Sequence, residues 1–339
     1  MKLMLLFRLL VPLPLLGPLS LLAQTGDPIR TVIDKACYKV ITVTARPDFI
    51  TADGSYAWVI DDNNSLIKKI AVNDTKPVLA VSVPGACAAP VVAFDAVWVV
   101  SCAEKKLYKI DRNTGGILAK ITTGVADANG EMSLAAGNGS IWMLTDSSGV
   151  LTRISPQTNT VLTRVQVKPH SYCAGYGYRA VWVTSTGEST VQRIDAEQNT
   201  LVATIPVGRN PRFISVGDQG VWTLNQGDGT VTKIDPETNQ VTATIDVNAK
   251  GPGGDISEGG GKVWIVSTNI ARPVQTINTA TNRVETIYDQ VGEGKPSGGE
   301  GKTATVGEKP FRVDGAVRVS GKYVWVSGLY RQKVWVFKK

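Results

Sequence analysis

Residues 211–247 read PRFISVGDQGVWTLNQGDGTVTKIDPETNQVTATIDV. The stretch divides into four short runs of β-formers: RFISV, GVWTL, TVTKI and QVTATI. Between them stand GDQG, NQGDG and DPETN, rich in the Gly, Asn and Asp that hairpin turns require. Its centre is Trp222, and the same pattern recurs around Trp58, Trp98, Trp142, Trp182, Trp264 and Trp325. The spacings are 40, 44, 40, 40, 42 and 61 residues. Self-similarity at this period marks a repeat architecture. Four antiparallel strands per repeat, copied around a circle, make propeller blades. The prediction is an all-β, seven-bladed β-propeller.

The residues beside each Trp are mostly apolar on both sides, as in Val97 and Val99, Val181 and Val183, Val263 and Ile265, or Val324 and Val326. A strand apolar on both faces is covered on both faces. In a propeller each blade is sandwiched by its neighbours, so the tryptophans are read as blade-to-blade packing.

Measured from the tryptophans, eleven residues on, come Lys69, Lys109, Arg153, Arg193 and Lys233, each followed by Ile. Gln275 and Val336 break the series in blades six and seven. Two residues later Asp111, Asp195 and Asp235 open the third turn, with Ser155 as a substitute. Asp or Ser at the first turn position accepts backbone N–H bonds. The repeated cations are read as structural, with stems over apolar surface and heads in water.

The seventh repeat lacks a fourth strand. Residues 38–44, YKVITVT, read like QVTATID and are followed by Arg46-Pro47, as a fourth strand is followed by a new blade. The N-terminal strand is therefore expected to complete blade seven, which removes an open sheet edge. The same register puts the fourth-to-first and second-to-third connections on one face, here called the top. It brings Cys87, where a first strand begins, beside Cys102, where a second strand ends. A Cys87–Cys102 disulfide is expected. In the chain-entropy model such a loop of about 15 residues is worth about 3 kcal/mol. Cys37 and Cys173 map to different blades and faces and are expected to be free or buried.

Lys2 and Arg8 precede a Leu-rich stretch, residues 9–23, broken by three prolines and a glycine. It is shorter than the roughly 20 residues a membrane span needs, and prolines oppose a spanning helix. Residues 1–23 are read as a secretory signal cut after Ala23; an uncleaved anchor is the alternative. Residues 24–37 form a lead-in and residues 38–339 the propeller. No later stretch is apolar enough to span a bilayer, so an exported, periplasmic or extracellular monomer is expected. The mature chain keeps 34 basic and 29 acidic residues, a net of +5. No cluster of five or more Lys/Arg occurs, which argues against a nucleic-acid partner. With four cysteines, no CxxC and one histidine, neither a disulfide scaffold nor a zinc site of the usual kind is indicated.

The long spacing before Trp325 comes from residues 291–310, VGEGKPSGGEGKTATVGEKP. This Gly-rich stretch is read as a flexible top-face insertion or, alternatively, a lid. Top-face positions near the axis are Asp48, Phe49, Glu131, His170, Tyr172, Arg212, Phe213, Asp255 and Asp314. They differ from blade to blade, and loops on a rigid scaffold are where function sits. His170 is the only histidine, so it is the catalytic candidate for any imidazole acid–base step. Asp48, Glu131, Asp255 and Asp314 offer oxygens to a hard cation such as Mg²⁺ or Ca²⁺. No GxSxG, P-loop or dinucleotide fingerprint occurs.

The pattern PxxI-x-VG-x-x-GVWV, followed by G-x-V-x-[KR]-IDP-x-TN-x-V-x-A-TI-x-VG, resembles the YVTN family of β-propeller repeats over about residues 38–339. It is similar also to the streptogramin B lyase-like propellers. The resemblance implies a seven-bladed ring. Its lyase branch opens a cyclic antibiotic lactone by elimination, using His and Glu residues and Mg²⁺ on the top face. Here His170 lies twelve residues before Trp182, outside the first-strand motif, and no catalytic position of that branch has a counterpart. Other YVTN-type propellers look like exported binding or surface proteins. The leading expectation is a non-enzymatic exported scaffold that binds a small molecule or protein on its top face. The alternative is a lyase-like, metal-assisted site in the top funnel.

Overall fold

The computed structural model describes residues 26–43, 46–61, 65–74, 76–124, 133–290 and 312–339. Residues 1–23, read as a signal, together with Glu131, Thr44 and the 291–310 insertion, lie outside the described residues.

Seven antiparallel sheets follow one another along the chain. Blade five is typical: Pro211–Gly217, Gly220–Asn225, Thr230–Asp235 and Gln240–Asp246, in that spatial order. The first strand of each blade touches the first strands of the blades on either side, all the way round, so these strands line the axis and the ring is closed. Every residue of the second strands in blades two, four, five and seven is buried, as expected of a strand covered on both faces. All seven repeat tryptophans are buried. In Trp98, Trp142 and Trp182 the indole Nε1 donates to a carbonyl five residues earlier, so the polar edge of a buried ring is satisfied within its own hairpin.

The third turns follow from two residues. Asp111, Asp195 and Asp235 each accept two backbone N–H bonds at 2.8–3.2 Å, closing the turn around one carboxylate oxygen. The turn ends on Asn159, Asn199, Asn239 or Asn282, with φ between 56° and 59°. Asn tolerates this left-handed conformation better than most residues.

The repeated cations behave differently from the sequence reading. Their heads do not end in water. Each stacks on the Trp of its own blade, 4.9–5.7 Å from the ring centroid, and then reaches the third turn of the next blade. Lys69 donates to the Arg112 carbonyl, Lys109 to that of Pro156 and Lys233 to that of Thr279, at 2.7–3.2 Å. Arg153 reaches Oδ1 of Asn199 at 2.9 Å. Arg193 takes both the Pro236 carbonyl and Oδ1 of Asn239. The cation is a stitch between blades: the ring offsets part of its desolvation while the neighbouring turn supplies carbonyl oxygens. In blade six Thr276, not Gln275, stands opposite Trp264, because the preceding turn is one residue longer.

Lys39–Thr42 pairs antiparallel with Lys333–Lys338 and completes blade seven. The lead-in does more than the sequence suggested. Ile29–Val32 adds a fifth, parallel strand outside Arg283–Asp289 of blade six. A single helical turn, Ile33–Ala36, then crosses to blade seven. There Asp34 accepts from Lys333 Nζ at 2.8 Å and from the indole of Trp335 at 2.5 Å. The segment thus straps the joint between blades six and seven, one that lacks a cation stitch. Cys87 and Cys102 are joined, with Cα atoms 5.9 Å apart, while Cys37 and Cys173 are free. Among the described residues no helix is long and apolar enough to cross a membrane.

Candidate functional site

The innermost strands carry the top-face positions. Two residues before each partner of a repeat Trp stand Phe49, Cys173, Phe213, Asp255 and Ala316 of blades one, four, five, six and seven. Phe49, Phe213 and Ala316 belong to one buried apolar cluster, with Tyr172 and Cys173 packed against it. Apolar side chains therefore fill most of these positions, and Asp255 brings a buried carboxyl to the same level.

Tyr172 and Phe213 meet edge to face, with centroids 5.7 Å apart. The Arg212 guanidinium lies 4.3 Å from the Tyr172 centroid and 5.9 Å from that of Phe213, and donates to the Tyr172 hydroxyl. These three sequence candidates form one aromatic–guanidinium cluster between blades four and five. It is half-buried, and the guanidinium contacts both rings.

The acids go elsewhere. Asp255 is 2% exposed. Its Oδ1 accepts from Ile256 N at 2.9 Å, and its Oδ2 from Val317 N at 3.1 Å and from the Arg318 guanidinium. Burial pushes its carboxyl above the usual range, with Arg318 and the two N–H groups offsetting only part of that rise. Asp255 thus joins blades six and seven. Asp314 pairs with Arg312 at 2.7 Å. The Asp48 carbonyl accepts from the Ser327 hydroxyl at 2.6 Å, locking blade seven to blade one. Among the described residues no three His, Cys, Asp or Glu side chains are grouped to hold a metal. Both Asp255 oxygens are engaged and Asp314 Oδ2 is held by an arginine.

His170 is exposed, just before the first strand of blade four, with φ 55°. Its backbone ties it to Ser147 and Thr186, and it is not part of the Tyr172–Arg212 cluster. Cys173 lies within the mouth, taking a hydrogen bond from the Ser133 hydroxyl at 3.5 Å. Burial pushes its thiol up, and Asp255 and Arg318 act on it in opposite senses from blades six and seven.

Arg318 and Arg312 escaped the sequence reading. Arg318 had a signal: seven residues before the repeat tryptophans stand Thr51, Val91, Ala135, Gly175, Ser215, Ser257 and then Arg318. One long cation in a series of small or β-branched residues marks a position that does not repeat. Arg312 lies in the connection ahead of that strand, outside the repeat.

No protein-family model matches the chain, and no curated protein matches it in sequence. Solved structures do match in fold. Selenomethionine-substituted virginiamycin B lyase from Staphylococcus aureus superposes with a TM-score of 0.69 at 16% identity, over 89% of this chain and 99% of that one. A streptogramin B lyase structure gives 0.69 at 15% identity, over 89% and 97%. The WD40 domain of Pan2 from Neurospora crassa gives 0.65 at 10%, over 90% and 96%. At such identities the likeness is one of fold, and fold alone does not carry function. The chain has the propeller fold seen in the streptogramin B lyases.

Proposed function

We propose that the protein is an exported, non-enzymatic propeller that binds a small molecule or a protein partner at its top-face mouth. One observation carries the reading. Asp255 is spent on joining blades six and seven and Asp314 pairs with Arg312, whereas Tyr172, Arg212 and Phe213 form an aromatic–guanidinium surface against the apolar cluster of the innermost strands. Such a surface recognises flat or anionic groups by stacking and charge-assisted hydrogen bonds. Export rests on the basic, Leu-rich start of the chain.

Thermal melting tests the reading. Ligand binding to the folded state raises the melting temperature. A small-molecule panel is expected to contain compounds whose shift is lost in both Arg212→Ala and Tyr172→Ala. Mg²⁺ and Ca²⁺ are expected to cause no saturable shift, and His170→Ala is expected to leave all shifts unchanged. A saturable Mg²⁺ or Ca²⁺ shift that disappears in Asp314→Asn or His170→Ala would replace this reading with the lyase-like one. Cell fractionation with N-terminal sequencing tests export, with Gln24 as the expected first residue of the mature chain.

A further inference from the structure

The stitch between blades has two parts: a Lys or Arg opposite the repeat Trp, and the third turn of the following blade. The joint between blades six and seven has neither. Thr276 stands opposite Trp264. The outer pair of blade seven is built from two separate segments, Lys333–Lys338 and Lys39–Thr42, with no turn between them. A cavity of about 330 Å³ lies at this joint, on the face opposite the mouth.

Its floor is aromatic. Trp264 stacks on Tyr288 with centroids 5.3 Å apart and planes 14° from parallel. Phe337 leans on both, at 4.9 and 5.1 Å. Its rim is cationic. Lys262, Lys338 and Lys339 line it, and Lys338 Nζ sits 4.0 Å from the Tyr38 ring centroid. Glu285 pairs with Lys262 at 3.0 Å, whereas Lys338 and Lys339 make no ion pair among the described residues. In the stitched joints the corresponding space holds an internal cation that meets carbonyl oxygens. Here the polarity is reversed, with surface ammonium groups around an aromatic recess.

We propose that this cavity binds a small aromatic carboxylate, its ring against Trp264, Tyr288 and Phe337 and its carboxylate at Lys338 and Lys339. The volume lies at the lower end of small-molecule pockets, which run roughly 300–1,000 Å³, and is too small for a folded partner. A flat ring matches the offset and edge contacts that aromatic side chains favour. An anionic head meets ammonium donors in charge-assisted hydrogen bonds. The site shares no residue with the top-face mouth, so either can fail without the other.

Cys37 lines the cavity and is a free thiol, which makes it a reporter. The test measures its alkylation by iodoacetamide on the full mature chain, read by peptide mass spectrometry, with Cys173 as internal control. The probes are benzoate, neutral benzamide and ring-less acetate at matched ionic strength. Benzoate is expected to slow labelling of Cys37 about tenfold near saturation and to leave Cys173 unchanged; benzamide and acetate at the same concentration are expected to do neither. In the double variant Lys338→Gln/Lys339→Gln, half-maximal protection is expected to need at least about tenfold more benzoate, as both charge-assisted contacts are lost. Both side chains are exposed, so the fold is retained, and an unchanged melting temperature verifies it. Protection by benzoate no greater than by acetate, or undiminished protection in the double variant, would overturn the assignment.

Discussion

Nη1 of Arg193 donates to Oδ1 of Asn239 at 2.9 Å, across the joint between blades four and five. The same guanidinium covers the Trp182 ring at 5.1 Å and takes the Pro236 carbonyl at 2.6 Å. One side chain therefore binds its own blade through a ring face and the next blade through two oxygens. Arg193→Ala removes all three contacts and leaves the acceptors in the joint without their donor. It is expected to cost about 2–3 kcal/mol in urea unfolding. A cost below that of an ordinary surface substitution would mean that the stitch is decorative.

Where the cation is lysine, the stitch is incomplete. Lys109 reaches the Pro156 carbonyl, and Oδ1 of Asn159 is buried without a partner. Lys109→Arg places a second donor where Arg193 has one. It is expected to stabilise the protein by about 1 kcal/mol. The matching substitution Lys233→Arg, facing the orphaned Oδ1 of Asn282, is expected to add to it, since separate joints are independent. A fall in melting temperature in both variants would contradict the geometry.

Arg318→Met leaves the buried Asp255 carboxylate with backbone donors alone. A buried charge deprived of its partner costs about 3–5 kcal/mol. The pair Asp255→Asn/Arg318→Met is expected to recover part of that loss, and a double-mutant cycle measures the coupling. If the single and double variants unfold alike, Asp255 does not depend on Arg318.

The turn carboxylates give the fold an acid limit. Backbone N–H bonds hold Asp111, Asp195 and Asp235 below the usual carboxylate range. A depressed folded-state value means stability that is present above about pH 4, the unfolded value, and is lost as pH falls through the folded values. The triple Asp→Asn variant keeps an accepting oxygen at each turn without a titrating group. Its melting temperature is expected to fall less than that of the wild type between pH 5 and pH 3. Parallel curves would refute the linkage.

The N-terminal strand closes the ring and the disulfide braces blade two. Removing residues 24–44 deletes the outer strand of blade seven and the strap on blade six, and is expected to abolish cooperative melting at the wild-type temperature. Breaking Cys87–Cys102 by Cys87→Ser/Cys102→Ser is expected to cost up to about 3 kcal/mol. A reducing agent should then no longer change the unfolding midpoint.

The repeat was legible because its parts are local. A hairpin turn, a covered strand and an Asx turn are each written within a few residues, so the seven tryptophans, the Asp turns and the strand that completes blade seven could be read in register. The candidate mouth was legible in part. Tyr172, Arg212 and Phe213 do meet, because neighbouring first strands bring the same register position together. Asp255 and Asp314 were named, but their arginine partners were not: Arg318 stands on another blade, and the ion pair of Arg312 with Asp314 lies in a connection that no repeat shares.

By itself, the amino-acid sequence determined the architecture: period, strand order, turn chemistry and the residues that pack between blades. Tertiary structure decided where the side chains ended. The repeated cations turned out to be donors to the next blade, 43–47 residues ahead. Ile29–Val32 became a fifth strand on blade six, paired with residues more than 250 positions away. The physical reason is the same in both cases. Backbone hydrogen bonding and turn conformation are selected by neighbours in the chain, whereas a charged head or an unpaired strand edge is satisfied by whatever the closed ring brings within reach.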